Sequence, residues 1–396
     1  MIYKNNRNLK LNKDSSIIFL TCNFMPVRGG ISNYIYEIIR HLPNENIRII
    51  GLPTKNSKQF HSNQNFKISR LNVPVNSASS IFFKFIWPVY FWTLKKYKNS
   101  SVVLCDCAHH TLLIPAILFS KFYAVPFGVF THGTDLLKHQ GKVYSKIFNK
   151  LLDAAEIVFS NSEQTKKILL SIGLKSHKIK VVYPNVNIQK FKDKASVETI
   201  IDRHNLHNKK IILTVSRLVE RKGIDTFIKS MIIIIKSLPE AHYLIVGTGS
   251  YGEKLKELVC RYKLNKHITF AGFIPDEEIN AYYSVCDLFV LVSRCLSIGD
   301  IEGFGIVFLE ANYFGKPVLA GNSGGISEAV LHNKTGIIVD PDNIQEVAKA
   351  AVQLLENRTF SQKLGTAGRE RVLNEFTGAA STNKLIAALR EQEILI

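Results

Sequence analysis

KIILTVSRLVERKGID occupies residues 210–225. Its first part, KIILTV, is a short run rich in β-branched apolar residues. The run then breaks into Arg217, Arg221, Lys222 and Gly223. An uninterrupted apolar run of that length reads as a strand buried on both faces, the mark of a parallel sheet. Reading outward, the pattern recurs at HYLIVG (242–247), HITFAGF (267–273), DLFVLVS (287–293), KPVLAG (316–321) and GIIVD (336–340). An earlier series comprises SIIFLTC (16–22), NIRIIGL (46–52), SVVLCDC (101–107), PFGVFTH (126–132), EIVFS (156–160) and KIKVVYP (178–184). Amphipathic or apolar helical stretches lie between several of these runs, such as ISNYIYEIIRHL (31–42) and HTLLIPAILFSKFY (110–123). This alternation predicts an α/β protein with two doubly wound parallel sheets.

The 396 residues exceed what one core usually serves, which agrees with two domains. The expected division is 1–190 and 205–377, joined by the polar stretch 185–210. The closing segment 378–396 is expected to be a helix returning to the first domain. The carboxyl ends of both sheets are expected to face a ligand cleft. With 46% hydrophobic and 21% charged residues the composition is that of a globular chain. The six cysteines show no C-x-x-C pair, which argues against a zinc site or disulfide scaffold and for a reducing compartment. The polar opening MIYKNNRNLKLNKDSS has no apolar signal core, so a cytoplasmic location is expected.

Charge is distributed unevenly. Residues 1–190 hold 26 Lys+Arg against 8 Asp+Glu, whereas residues 191–396 hold 25 against 24. A one-sided positive field attracts anionic partners such as nucleic acid, an anionic bilayer or a phosphorylated substrate. The aromatic-rich segment SSIFFKFIWPVYFWTLKKYK (79–98) is interrupted by Lys84 and Pro88 and is shorter than the ~20 apolar residues of a spanning helix. Two readings are open for it: a core helix with a basic end, or a helix lying in a bilayer interface.

The stretch EGFGIVFLEA (302–311) brackets an apolar run with Glu302 and Glu310. A helix from about Gly305 to Phe314 would start at the carboxyl end of a strand, where free amides suit a phosphate and glycines allow close approach. At ~1.5 Å per residue, Glu310 would lie ~8–9 Å along that helix, comparable to the reach from a diphosphate to the ribose of a nucleotide. A capped helix with a solvated Glu310 is the plain alternative. Arg217 and Lys222 could neutralise a diphosphate, whereas Arg221 fits a solvated turn. Gly29–Gly30 offers a second backbone approach to phosphate. THGTD (131–135) places His132 and Asp135 at another strand end.

Taken in order, the motifs resemble the retaining glycosyltransferase family 4 with its GT-B architecture of two Rossmann-like domains. The likeness spans nearly the whole chain: the Gly29–Gly30 loop, THGTD, NSEQT (161–165), YPNVNIQKF (183–191), SRLVERKG (216–223), VGTGS (246–250) and AGFIP (271–275). It continues with EGFGIVFLEA, SGGISEAV (323–330), NKTGIIV (333–339) and GTAGRERV (365–372). The family's E-x7-E pattern is met by Glu302 and Glu310. Residues 294–325 are especially similar to the phosphatidylinositol mannosyltransferase-like branch, which leans the donor toward GDP-mannose over a UDP-sugar.

The resemblance implies donor-binding roles for Gly29, Gly30, Arg217, Lys222, Glu302, Phe304, Gly305, Ile306, Val307 and Glu310. Catalytic roles fall to His132, Arg217, Lys222 and Glu302. Gly30 resembles the glycine at the donor diphosphate, His132 the contact to the transferred sugar, and Arg217 with Lys222 the diphosphate-binding pair. Glu302 resembles the acid that holds the donor sugar's hydroxyls, and Glu310 the ribose-binding acid. Asn187 stands where the family usually has an acid. The implied reaction is transfer of a hexose from a nucleoside-diphosphate sugar, with retention, to a lipid-linked or polysaccharide acceptor of cell-envelope glycans. No metal and no cofactor is implied, and Asp340–Asp342 in VDPDN reads as a turn. The basic first domain would dock peripherally on the anionic inner face of the plasma membrane. Two rivals remain. GTGSYG (247–252) matches a dinucleotide-binding fingerprint, as in an NAD-dependent oxidoreductase, but the next strand lacks the acid that completes it. A basic nucleic-acid-binding protein is the other, without any recognition signature in the sequence.

Overall fold

The computed structural model describes residues 16–22, 24–26, 29–42, 46–54, 60, 64, 66–71, 87–106, 112–133, 136, 142–191, 196–296 and 300–395. Two compact units account for the chain: residues 1–185 with 378–396, and residues 186–377.

In the first unit seven strands form one parallel sheet. They are β1 (Ile17–Thr21), β2 (Ile47–Gly51), β3 (Lys67–Arg70), β4 (Val102–Asp106), β5 (Phe127–Thr131), β6 (Ile157–Ser160) and β7 (Ile179–Val181), in the order β3-β2-β1-β4-β5-β6-β7. The order reverses direction between β1 and β4, the place where open α/β sheets bind ligands at their carboxyl ends. Helices α1 (Gly30–Arg40), α2 (Trp87–Leu94), α3 (Leu113–Tyr123), α4 (Lys142–Asp153) and α5 (Glu163–Ser171) connect the strands. Tyr90 and Leu94 of α2, Ala116 and Phe119 of α3 and Phe148 of α4 share one buried cluster with the sheet. Tyr34, Ile35, Ile38 and Ile39 of α1 belong to a second. The alternation of buried apolar strands and one-sided helices thus gives two layers around a parallel sheet. β3 was not foreseen: KISR is polar and partly exposed, as suits a sheet edge.

The second unit opens with α6 (Val197–His204), inside the stretch expected to be a connection. The stretch folds because Ile200 is fully buried and α6 packs on a neighbouring helix, with His204 Nε2 2.9 Å from the Tyr282 hydroxyl and Arg203 paired to Glu278. Six parallel strands follow: β8 (Lys210–Val215), β9 (Ala241–Val246), β10 (Ile268–Gly272), β11 (Leu288–Leu291), β12 (Val318–Gly321) and β13 (Ile337–Val339), in the order β10-β9-β8-β11-β12-β13. The intervening helices are α7 (Ile224–Ser237), α8 (Gly252–Arg261), α9 (Ile279–Val285), α10 (Ile306–Tyr313), α11 (Ile326–Ala329), α12 (Ile344–Glu356) and α13 (Arg358–Glu375). Finally α14 (Gly378–Glu391) rejoins the first unit. Its Leu385, Ile386 and Leu389 enter the cluster of α1, and Thr382 Oγ1 donates to the Ile38 carbonyl at 2.9 Å. No helix among the described residues is long and apolar enough to cross a membrane.

Candidate active site

Glu302 is the centre of the second unit's site. The loop after β8 turns at Gly223, whose φ of 66° suits glycine. A Cβ there would come within 1.9 Å of the Val292 carbonyl oxygen, so only glycine lets the Arg221–Lys222 turn press against the end of β11. A hydrogen bond from Arg294 N–H to the Arg221 carbonyl (2.9 Å) fastens the contact. On the other side Gly324 (φ 56°) lies so close that a Cβ would sit 2.0 Å from the Glu302 carbonyl oxygen, and Gly325 N–H donates to that oxygen at 3.0 Å. The loop glycines therefore place Glu302 next to the cations.

The result is a buried ionic cluster. Lys222 Nζ and Arg221 Nη1 each lie 2.6 Å from Glu302 Oε2, and Ser293 Oγ is 3.4 Å from the same oxygen. Arg221 Nε is 3.1 Å from Asp300 Oδ1, off the angle of a hydrogen bond. Burial alone would push the Glu302 carboxyl up, but Lys222 and Arg221 outweigh it and hold it below the ordinary glutamate range. Burial also draws the Lys222 ammonium below the usual lysine range, against the pull of Glu302. The expectation that Arg221 sits in a solvated turn is overturned: it is 6% exposed and paired. Arg217, four residues earlier, is exposed, and its charge reaches Lys222.

Gly305 caps α10 in the left-handed region (φ 91°), where a Cβ would strike the Phe308 ring. The first-turn amides of α10, including those of Ile306 and Val307, are the ones no helical carbonyl can satisfy. The Phe304 ring is buried, 5.7 Å from Phe376, so a ligand at this loop would meet the backbone of Phe304 rather than its ring. Further along α10, Glu310 is not simply solvated. The buried Tyr283 hydroxyl donates to Glu310 Oε2 at 2.6 Å, and Tyr283 stacks on Phe314 at 5.5 Å. Burial, reinforced by the Glu310 charge, pushes the Tyr283 phenol well above its ordinary value, so it stays a donor.

In the first unit His132 follows β5 and is buried, with Nε2 2.8 Å from Asp106 Oδ1 at the end of β4. Thr21 Oγ1 donates to Asp106 Oδ2 at 3.3 Å, and Asn161 Nδ2 donates to the His132 carbonyl at 3.2 Å. Sequence reasoning missed Asp106; its position at the tip of an apolar run was the available signal. Gly29 and Gly30 are exposed at the start of α1, and Gly29 has open space where a Cβ would stand. Asp135 lies outside the described residues.

The dinucleotide fingerprint has a packing explanation. A Cβ on Gly247 would fall 1.8 Å from the Ser216 carbonyl oxygen, and one on Gly249 would fall 2.2 Å from that of Leu218. Leu218 N–H donates to the Thr248 carbonyl, and Tyr251 N–H to the Leu218 carbonyl, both at 2.9 Å. These glycines admit the cation-bearing loop rather than a pyrophosphate. Asp340 Oδ1 accepts the Asp342 N–H at 3.0 Å, which makes that pair a turn. Among the described residues no group of three or more His, Cys, Asp or Glu is placed to hold a metal ion.

Comparison with known proteins agrees with this geometry. The model described as glycosyl transferases group 1 matches residues 196–371, and that of glycosyltransferase family 4 matches residues 28–190. A GDP-mannose-dependent alpha-(1-6)-phosphatidylinositol monomannoside mannosyltransferase of Mycobacterium tuberculosis is 34% identical over 262 residues, 66% of this chain and 68% of that protein. The protein of the same name in Mycolicibacterium smegmatis is 27% identical over 95% of this chain and 99% of its own. Among solved structures, Anabaena HepE in complex with UDP and glucose superposes with a TM-score of 0.78 at 20% identity, covering 95% of this chain and 99% of that one.

Proposed function

This chain belongs to the family 4 glycosyltransferases of GT-B fold and is a retaining hexosyltransferase, and from that premise we propose that it transfers mannose from GDP-mannose to a lipid-linked or polysaccharide acceptor of the cell envelope. The observation that carries the reading is the Glu302 cluster. All three bonds fall on Oε2, from Lys222, Arg221 and Ser293. Oε1 takes none of them and is the oxygen left to accept a hydroxyl of the donor sugar. Lys222, with the exposed Arg217 beside it, then meets the negative charge that grows on the departing diphosphate. The first-turn amides at Ile306 and Val307 add neutral donors to the same phosphate oxygens. Glu310, held by Tyr283, takes the ribose. In the first unit Asp106 fixes the His132 ring through Nε2. Front-face attack, which the family implies, retains the configuration and brings the acceptor hydroxyl to the departing phosphate oxygen, which accepts its proton as the new glycosidic bond forms and the sugar–phosphate bond breaks.

The lean to mannose rests on the mycobacterial relatives, whose names specify GDP-mannose. The test is a donor panel of GDP-mannose, UDP-glucose, UDP-N-acetylglucosamine and UDP-galactose, assayed for release of GDP or UDP. Preferential GDP release supports the reading. Release of UDP alone moves the donor to a UDP-sugar, and no release from any donor removes the transferase mechanism.

A further inference from the structure

The first unit has a cationic feature of its own, at the opposite end of its sheet from Asp106 and His132. A cleft of about 320 Å³ opens at the amino ends of β2 and β3. Arg48 and Lys67, neighbours in the β2–β3 register, line it together with Lys95, Lys96, Tyr97 and Lys98 from the turn after α2. Among the described residues no acidic side chain lines it. Among the described residues none of the five cations forms an ion pair. Like charges facing across a register are destabilising, so an unneutralised cluster argues for an external anion. Arg48 is already oriented: its Nη1 donates to the Tyr97 hydroxyl at 3.1 Å, and its guanidinium carbon lies 4.4 Å above the Tyr97 ring.

Beside the cleft stands an apolar patch. Trp92 on α2 is 63% exposed and Phe122 on α3 is 71% exposed. Phe91 lies between them, 6.4 Å from Trp92 and 6.0 Å from Phe122. Both helices bury their other sides, through Tyr90, Leu94, Ala116 and Phe119, in one core. Trp92 and Phe122 are thus the outward side of a single helical layer. Lys95 Nζ lies 5.1 Å from the centre of the Trp92 ring, joining patch to cleft. Large exposed aromatics rimmed by lysines match the headgroup level of a bilayer, where rings enter and ammonium groups meet phosphates.

We propose that the outward side of α2 and α3, with the Arg48–Lys98 cleft, docks this protein on an anionic phospholipid surface. Trp92 and Phe122 insert at the interface, and the five cations take lipid phosphates. This deepens the reading of a lipid-linked acceptor and rests on it. A helical layer laid on the bilayer keeps the strands parallel to the membrane plane, so the sheet's carboxyl ends open along that surface.

The test is vesicle cosedimentation of the full chain, using phosphatidylcholine vesicles with and without phosphatidylglycerol. The parent should bind the anionic vesicles, lose binding at high salt, and ignore neutral ones. At roughly a fivefold effect per lysine near the surface, Lys95→Gln/Lys96→Gln/Lys98→Gln should lower partitioning about a hundredfold. Trp92→Ala/Phe122→Ala should lower it about tenfold. Lys167→Gln/Lys175→Gln, near β7 at the far sheet edge, should change it less than about threefold. Circular dichroism checks that each variant is folded. Equal loss in the far-edge variant, equal binding by all variants, or binding of oligonucleotide but not of vesicles would overturn the proposal. Donor hydrolysis, measured in parallel without vesicles, separates the two failures. Hydrolysis with no vesicle binding rejects this docking face alone, and vesicle binding with no hydrolysis rejects the transferase mechanism alone.

Discussion

Two buried glutamates, one in each unit, acquire opposite acidities. Glu302 is met by two cations at 2.6 Å, and its carboxyl is held below the ordinary range despite burial. Glu37 on α1 is 2% exposed and has one cation, Arg40, at 3.0 Å, with His41 Nδ1 3.9 Å away. There burial wins, and the carboxyl is pushed up to about 7. The difference is in how many charges are buried with the acid. In the second unit, with its nearly even charge balance, Arg221 and Lys222 are drawn inside around Glu302. In the first unit, which carries most of the excess positive charge, the described lysines stay outside and leave Glu37 undercompensated. A carboxylate kept ionised in a buried place is suited to bind polar ligand groups, whereas one near neutrality at pH 7 is a packing element whose contribution depends on pH.

The largest expected effect comes from removing a Glu302 partner. Lys222→Met should lower kcat for donor turnover by about 10²–10³, the usual loss for one charge-stabilising donor. An unchanged kcat would separate the cluster from the chemistry. Next, Asp106→Asn removes a charge-assisted hydrogen bond to His132 and should lower kcat by about 10–100-fold, with donor KM little changed. A change confined to KM would make Asp106 part of binding rather than a support for the ring. Tyr283→Phe frees Glu310 and should raise donor KM by roughly 3–10-fold at constant kcat, if Glu310 grips the ribose. Steady-state kinetics over donor concentration reads all three.

The smallest effect sharpens the comparison of the two acids through pH. Glu302 has a lowered pKa, so its stabilisation is present above the unfolded carboxylate pKa and is lost as pH falls through the folded value. Glu37 has the opposite sign: its folded pKa of about 7 exceeds the ordinary glutamate value of 4.5, so stability falls as pH rises through that interval. Glu37→Gln should therefore match the parent near pH 4 and exceed it above pH 7, by about 2–4 °C in Tm per kcal/mol relieved. Parallel Tm profiles for parent and variant would show that Glu37 does not titrate there.

Much of this arrangement was legible in the residues. Apolar runs of strand length located all six strands of the second sheet and six of the seven in the first, because buried parallel strands need no polar side. β3 escaped because an edge strand has less core to face. The connecting stretch hid α6, since a helix that buries little beyond Ile200 looks polar throughout. In the site, Glu302, Lys222 and Glu310 stood out by motif. Arg221 was misread because the acid that draws it inside lies 81 residues later. Asp106 escaped because a lone acid at a strand tip has no spacing to mark it, and its partner His132 follows 26 residues on. Folding, not local sequence, decides which charges are buried together.

The most direct test is calorimetric titration of GDP into the parent and into Lys222→Met and Glu302→Gln. If the cluster binds a sugar-linked diphosphate as argued, Lys222→Met should weaken GDP by roughly tenfold or more, from loss of a charge-assisted contact. Glu302→Gln should leave GDP affinity within about threefold while weakening intact GDP-mannose by roughly tenfold. GDP binding that is indifferent to Lys222, or equal losses of GDP and GDP-mannose in Glu302→Gln, would contradict the division of labour assigned to this site.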